Sequence, residues 1–276
     1  VTASQKDDIR LAKQFCKAQE IYGAESYING FSGHVLDILI IYYGGFDELM
    51  KAVATWDKKT IIDPENKHDD PIKELNKAKL QSPLILIDPV DPERNAAAAL
   101  SKEKYVTFKK KAEQFLKHPS NNMFIIPSFD KEKEKEKRKE NEILFIITVT
   151  PQVGKKDVVG SKVLKSYEFL KRQLRLHEFK VQHSSWWFDK KESHIILFVD
   201  NERLSETLLR EGPPLRNEVG AKRFKEVHGE KVSEQDGRLY ATVKRQFQEA
   251  TKCMKHLLKQ EYITERVQDV KLDVIE

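Results

Sequence analysis

The sequence predicts an α+β protein in two parts. A mainly helical N-terminal domain spans residues 1–118, and an α+β domain with a small antiparallel sheet spans residues 119–276. Three observations predict this. Apolar residues recur at helical spacing through residues 7–19, 32–43, 46–56 and 101–116. Beyond residue 141 the order becomes strand, helix, strand, strand, which suits a helix packed on an antiparallel sheet. A chain of 276 residues is also long enough to bury two cores.

Each element of the first part follows from a local signal. Asp7 or Asp8 is placed to cap the first helix, and Ile9, Ala12, Phe15 and Cys16 fall on one face. Lys13 and Lys17 lie one turn apart on it. Tyr22-Gly23 ends the helix. Ser32 caps the second helix, whose Val35, Leu36, Leu39, Ile40 and Tyr43 face a core, and Gly44-Gly45 separates it from the third. Residues 57–83 are polar, carry Asp63-Pro64 and Asp70-Pro71, and read as loop or short excursions. Residues 84–87 are an apolar strand. On the helix from Ser101, Tyr105, Phe108, Ala112 and Phe115 recur at helical spacing and belong to the core, not to a stacking platform.

In the second part, residues 118–122 read as a linker and residues 123–126 as a short strand. The alternating Lys and Glu of residues 131–141 read as an exposed loop or solvated helix, because opposite charges offset each other. Residues 142–150 are a buried strand and residues 158–174 a helix. Strands follow at 179–188 and 194–199. A helix is expected at 203–210, stopped by Gly212-Pro213-Pro214, and another at 219–227. Asp236-Gly237 turns into a strand at 238–244, and a long helix at 246–260 closes the chain.

Composition narrows the class. Hydrophobic residues make up 39% and charged residues 34%, above the roughly 25% average for charge, as in a soluble globular protein. No apolar run approaches the ~20 residues that span a bilayer. The start, Val1-Thr2-Ala3-Ser4-Gln5, reads as a cut or frayed lead-in and not as a signal peptide. Cys16 and Cys253 are the two cysteines. They lie far apart in sequence, which argues against a disulfide or a zinc site and for a reducing cytoplasm. A net charge of +5 is compatible with RNA, although its distribution matters more than its total.

Residues 88–101, Asp-Pro-Val-Asp-Pro-Glu-Arg-Asn-Ala-Ala-Ala-Ala-Leu-Ser, carry the most information. The strand at 84–87 runs into two Asp-Pro steps, and a residue before proline is pushed out of the helical region, so the chain turns. Arg94 is therefore held on a stiff connection between strand and helix. A planar guanidinium placed that way suits phosphates or base edges. Local pairing of Arg94 with Asp88 or Asp91 is the alternative, and spacing leaves both open.

Basic residues also gather in the second part. Lys162, Lys165, Lys171, Arg172 and Arg175 share the helix after its first strand. Arg238, Lys244 and Arg245 flank a later strand, and Lys252, Lys255 and Lys259 recur near the end. Such faces can follow an RNA stem through phosphates and 2′-hydroxyls, or be plain solvated surface. In an alternating strand only one of Trp186 and Trp187 faces a core, which leaves the other to stack on a base.

Several motifs agree in order: Ile21-Tyr22-Gly23-Ala24-Glu25, Gly30-Phe31-Ser32-Gly33 running on to Ile40, Tyr42-Tyr43-Gly44-Gly45-Phe46, Trp56, and the Asp-Pro-Val-Asp turn. The series over residues 9–116 resembles archaeal-type (class I) tRNA nucleotidyltransferases, the CCA-adding enzymes. A weaker match continues through Gly212-Pro213-Pro214, Asp236-Gly237-Arg238 and Lys244-Arg245-Gln246-Phe247. The resemblance implies a nucleotidyltransferase substrate-binding domain followed by an RNA-binding domain. It implies an enzyme that adds C, C and A to tRNA 3′ ends from CTP and ATP, without a template.

The family's catalytic head carries a Gly-Ser motif followed by metal-binding carboxylates, and no Gly-Ser followed by an Asp-x-Asp pair occurs in this sequence. The expectation is therefore the central and C-terminal regions without the catalytic head, inactive alone. Mg2+ would be bound by that head and not by this chain. By the same resemblance, Lys13 matches a lysine and Tyr22 a tyrosine that meet the incoming triphosphate, and Arg94 an arginine that selects the base. On the residues alone, Lys13 is a surface lysine and Tyr22 a helix-end core residue. The RNA candidates are Lys162, Lys165, Arg172, Arg238, Lys244 and Arg245. Implied partners are the tRNA acceptor stem and T arm, CTP, ATP and the catalytic head, with no membrane and with a homodimer left open. Departures stand at Asn29 (often arginine), His34 (usually tyrosine), Asp37 (glutamate) and Ala99 (asparagine). A non-catalytic RNA-binding relative and a poly(A)-type or oligoadenylate-type nucleotidyltransferase are the rival expectations.

Overall fold

In the computed structural model, which describes residues 2–276, Thr2 starts the first helix. Its hydroxyl accepts from the Gln5 amide, and the Gln5 side chain accepts from the Thr2 amide. That capping box starts α1 (Ala3–Ala18) a turn earlier than Asp7 or Asp8 would place it. The hydroxyl of Ser32 caps α2 (Gly33–Tyr43), and Gly44, at a φ of 93°, closes it in the left-handed region that glycine adopts without strain. α3 (Phe46–Thr55) follows directly.

The stretch expected as loop contains β1 (Thr60–Ile62), the one-turn helix α4 (Pro71–Glu74) and a 3-10 turn at Lys77–Leu80. β1 pairs in parallel with β2 (Leu84–Leu86), and Ser101 caps α5 (Lys102–Lys117). The rings of Phe46, Phe108, Phe115 and Phe124 lie between 5.5 and 6.3 Å from that of Phe15, so the periodic aromatics of α5 are core.

Residues 118–126 depart from the linker and strand expected there. A 3-10 turn at Asn121–Phe124 buries Met123 and lays Phe124 on Phe15. Gln14 of α1 and Gln19 at its C-terminal cap donate to the carbonyls of Phe124 and Met123, each at 2.7 Å. Met123 and Phe124, the first two residues of the run expected as a strand, plug the helical core instead, and Ile125 and Ile126 stay exposed. The chain divides into two compact units, one running to Ser128 and one from Phe129 to Glu276.

In the second unit, Asp130 caps α6 (Lys131–Glu136). Glu134 is buried and paired with Lys137 at 2.6 Å, and Lys131 pairs with Asp273 at 2.7 Å. Part of the Lys-Glu run is thus tied into the fold and not solvated throughout. β3 (Glu142–Pro151), α7 (Lys156–Leu176), β4 (Val181–Trp187) and β5 (Ser193–Asp200) follow the expected order. After them come β6 (Thr207–Pro214), α8 (Glu218–His228), β7 (Val232–Gln235), β8 (Arg238–Lys244), α9 (Ala250–Leu257), α10 (Glu261–Thr264) and β9 (Val267–Ile275). One antiparallel sheet has the order β4-β5-β3-β9 and a second the order β6-β8-β7. Val163, Phe169, Leu170 and Leu174 of α7 pack with Ile143, Phe145 and Ile147 of β3 and with Met254 and Leu257 of α9.

Two expectations are corrected here. The helix expected at 203–210 is the edge strand β6, paired with β8. Gly212-Pro213-Pro214 sits in it at a register shift between Glu211 and Pro214, where an edge strand tolerates proline. Gly212 is required there, since a Cβ would meet the Phe224 ring at 2.8 Å. The long helix expected at 246–260 is instead the pair α9 and α10, and β9 beyond it completes the larger sheet beside β3.

Candidate nucleotide and RNA interface

The N-terminus of α2 gathers the first unit's candidates. Lys13 projects from α1 and reaches Asp37, with Nζ 2.7 Å from Oδ1. That oxygen makes no hydrogen bond, so the contact is ionic and out of line. Lys17, one turn on, lies 5.1 Å from the centre of the Tyr22 ring, within cation–π range. The backbone of Tyr22 bridges to Phe31, which brings its phenol to the start of α2. A Cβ placed on Gly33 would lie 3.1 Å from the Tyr22 hydroxyl and 3.6 Å from Lys13 Nζ. Lys13 and Tyr22 therefore converge on the first residue of α2, where the helix dipole is positive.

Arg94 reaches the same helix end through a buried carboxylate. Asp88 is 2% exposed. Its Oδ1 accepts from the Val90 amide at 3.1 Å, and its Oδ2 accepts from His34 Nε2 at 2.9 Å and from Arg94 Nη1 at 3.4 Å. Burial alone would raise the Asp88 pKa. The Val90 amide, His34 and Arg94 outweigh it and hold the carboxyl below its usual range. Local pairing of Arg94 and Asp88 is thus real but long, and the arginine side chain stays 59% exposed. Its fork can pair with Asp88 and still meet a ligand. Ser32, Arg94, Ala24 and Ala96 share the wall of a groove of about 420 Å³ beside it.

Asn95 builds the turn, and sequence reading passed over it. It is 3% exposed. Its Oδ1 accepts from the Leu86 and Ala97 amides, and its Nδ2 donates to the carbonyls of Lys79 and Leu84. All four hydrogen-bonding capacities are used, so the turn is rigid. An asparagine beside an arginine in a turn gives no sequence signal for that role. Three of the four departures have local accounts, and nothing in the structure explains Ala99. Asn29 adopts a φ of 54°, which asparagine tolerates, donates to the Ser26 carbonyl, and offers its own carbonyl to the Ser101 amide at the start of α5. His34 is the Asp88 partner, and Asp37 is the Lys13 partner.

In the second unit the basic candidates separate. Lys165 and Arg172 are exposed on α7. Lys162 donates to Gln152 Oε1 at 2.6 Å. Arg238 pairs with Glu211 and donates to the Gly212 carbonyl at 3.2 Å, and Lys244 lies 3.5 Å from Glu206. The Arg245 side chain is 12% exposed and pairs with Glu178. Open positive surface therefore lies on α7 and, at Lys244, whose side chain stays 79% exposed, at the end of β8. Both tryptophans pack on apolar clusters, Trp186 on the larger core and Trp187 on the opposite sheet face with Ile196 and Phe198. The sheet has a core on each side, which the alternation argument did not foresee.

Among the described residues, no group of three or more His, Cys, Asp or Glu is arranged to hold a metal ion. The carboxylate set that magnesium needs is not assembled on the described residues. No helix is long and apolar enough to cross a membrane among them.

Comparison with known proteins places both units of the chain in one family. Residues 7–125 match the family model of the tRNA nucleotidyltransferase second domain, and residues 141–270 that of the CCA-adding enzyme C-terminal domain. The chain is 33% identical over 229 residues to the CCA-adding enzyme of Methanosarcina mazei, covering 81% of this chain and 48% of that protein. It is 34% identical over 245 residues to the one from Nanoarchaeum equitans (88% and 58%), and 31% identical over 241 residues to the one from Saccharolobus islandicus (87% and 55%). The chain belongs to the archaeal-type CCA-adding enzyme family, the tRNA nucleotidyltransferases. It spans about half the length of the curated relatives it matches.

Proposed function

We propose that this chain is the nucleotide-positioning and tRNA-binding part of a CCA-adding enzyme, which adds C, C and A to tRNA 3′ ends from CTP and ATP without a template. The observation that carries the proposal is the convergence of Lys13, Tyr22 and the Asp88-held Arg94 on the N-terminus of α2. A compact ammonium, a phenol and a helix N-terminus suit a triphosphate and the negative charge that grows on its pyrophosphate as it leaves. A half-free guanidinium on a rigid turn offers paired N–H donors to the acceptor groups on the edge of a base. The chain's own residues then bind and orient the nucleotide, and the 3′ hydroxyl is brought to it.

The exposed Lys165 and Arg172 of α7 support docking of the acceptor stem and T arm on the second unit, through phosphates. Magnesium, when bound by a catalytic head, supplies activation of the 3′ hydroxyl and charge balance at the triphosphate. The buried, unpaired Cys16 and Cys253 suit a reducing cytoplasm.

Product analysis tests this reading. The complete enzyme, given CTP alone and a tRNA lacking its 3′ end, is expected to add two C residues and stop. Arg94→Ala is expected to blur the choice of nucleotide while leaving the KM for tRNA unchanged. Extension with ATP alone into a long tail, or an unaltered choice in Arg94→Ala, contradicts it.

A further inference from the structure

The turn that carries Arg94 is gripped from outside by residues 63–80. Lys79 Nζ donates to the Glu93 carbonyl, and the Lys79 carbonyl accepts from Asn95 at 2.9 Å. Between β1 and α4 stands His68, whose side chain is 6% exposed. Its Nε2 lies 2.9 Å from the Pro92 carbonyl oxygen, in the Asp-Pro turn itself, two residues before Arg94. Its Nδ1 lies 2.8 Å from Glu74 Oε2, and its backbone amide donates to Asp63 Oδ2 at 2.9 Å.

A carbonyl and a carboxylate can only accept. Both ring nitrogens of His68 must therefore carry hydrogen at once, which is the imidazolium. The charged groups that face it agree. Glu74 comes from α4 and Asp63 from the end of β1, and Asp63 Oδ1 is buried with no hydrogen-bond partner among the described residues. Among the described residues, the turn meets the ring through the Pro92 carbonyl.

We propose that His68, held as an imidazolium between Glu74 and the Pro92 carbonyl, is a positioning residue that sets the Asp-Pro turn and thereby aims Arg94 at the incoming base. The proposal rests on the nucleotide-positioning reading of Arg94. The Pro92 carbonyl first, and then Glu74, raise the His68 pKa above the ordinary histidine value, against the opposing effect of burial. The sign follows. A raised folded pKa means that the doubly bonded ring is intact below the ordinary value and is lost as pH rises through the folded one. A neutral ring donates from one nitrogen only, so either Pro92 or Glu74 is released. Nucleotide selection should therefore weaken on the alkaline side, with no matching change in tRNA binding.

Two measurements test this. Nitrogen-15 NMR of the ring in the intact chain needs no variant. Both His68 nitrogens are expected to be protonated at pH 7, with the proton lost at higher pH than from an ordinary histidine. A neutral ring at pH 7 overturns the proposal. In the complete enzyme, His68→Gln, which keeps one donor, is expected to lower discrimination between CTP and UTP in kcat/KM by roughly fivefold, the scale of one hydrogen bond. The KM for tRNA is expected to stay unchanged, and the alkaline fall in selection to disappear. Unchanged discrimination, or a loss matched by a rise in the KM for tRNA, overturns it. Arg94→Ala run in parallel separates the layers. If it loses discrimination while His68→Gln does not, only the positioning role falls. If it keeps discrimination, the reading of Arg94 falls, and the role of His68 with it.

Discussion

Replacing Asp88 by asparagine removes one negative charge from the point where β2, the Asp-Pro turn and α2 meet. The amide keeps the shape and still accepts from the Val90 amide, so the change isolates the charge. Two interactions weaken, the 2.9 Å bond from His34 and the longer contact with Arg94, which is discounted because that side chain is 59% exposed. A charge-assisted bond contributes about 1.5–3 kcal/mol and a neutral one about 1, so Asp88→Asn should cost about 1–2 kcal/mol at pH 7.

The sign with pH is fixed by the lowered Asp88 pKa. Its contribution is present above the unfolded aspartate value of about 3.9 and is lost as pH falls through the lower folded value. Urea denaturation of wild type and variant at pH 7 and again in acid reads the difference directly. The two should differ by about 1–2 kcal/mol at pH 7 and converge once pH drops below the folded Asp88 value. Equal stability at pH 7, or a gap of the same size in acid, refutes the reasoning.

Other perturbations reach the same site or the RNA face. Gly33→Ala puts a methyl 3.1 Å from the Tyr22 hydroxyl and 3.5 Å from Lys13 Cε, so steady-state kinetics of the complete enzyme should show KM rising for CTP and ATP alike, with tRNA unaffected. Asn95→Ala strands two buried amides and two carbonyls. It should destabilise the first unit by about 3 kcal/mol or more in chemical denaturation. Lys165→Glu combined with Arg172→Glu should weaken tRNA binding and flatten its salt dependence by about 1–2 in the log–log slope, while nucleotide KM values hold. An unchanged slope argues that RNA lies elsewhere.

Much of the fold was legible because its signals are local. Ser32 and Ser101 cap the helices they were expected to cap, and the apolar period of α2, α5 and α7 survives in the structure. The misread segments depend on partners far along the chain. β6 is a strand because β8 pairs with it some thirty residues later, and Leu208 and Leu209 alone fit either period. β9 had a usable signal in the alternation of Val270, Leu272 and Val274, which a long-helix reading of the preceding residues obscured. Of the site, Lys13, Tyr22 and Arg94 were named from motif order. The residues that hold them, Asp88, Asn95 and His68, act through contacts that spacing cannot show. His34 meets Asp88 across 54 positions, and His68 meets Pro92 across 24.

The most direct test of the tRNA role is equilibrium binding of this chain to a tRNA acceptor minihelix, set against a blunt RNA duplex of equal length at several salt concentrations. A clear preference for the minihelix, with affinity falling steeply as salt rises, is the predicted result. Equal affinity for the two RNAs, or binding insensitive to salt, would contradict an RNA face that follows the acceptor stem through its phosphates.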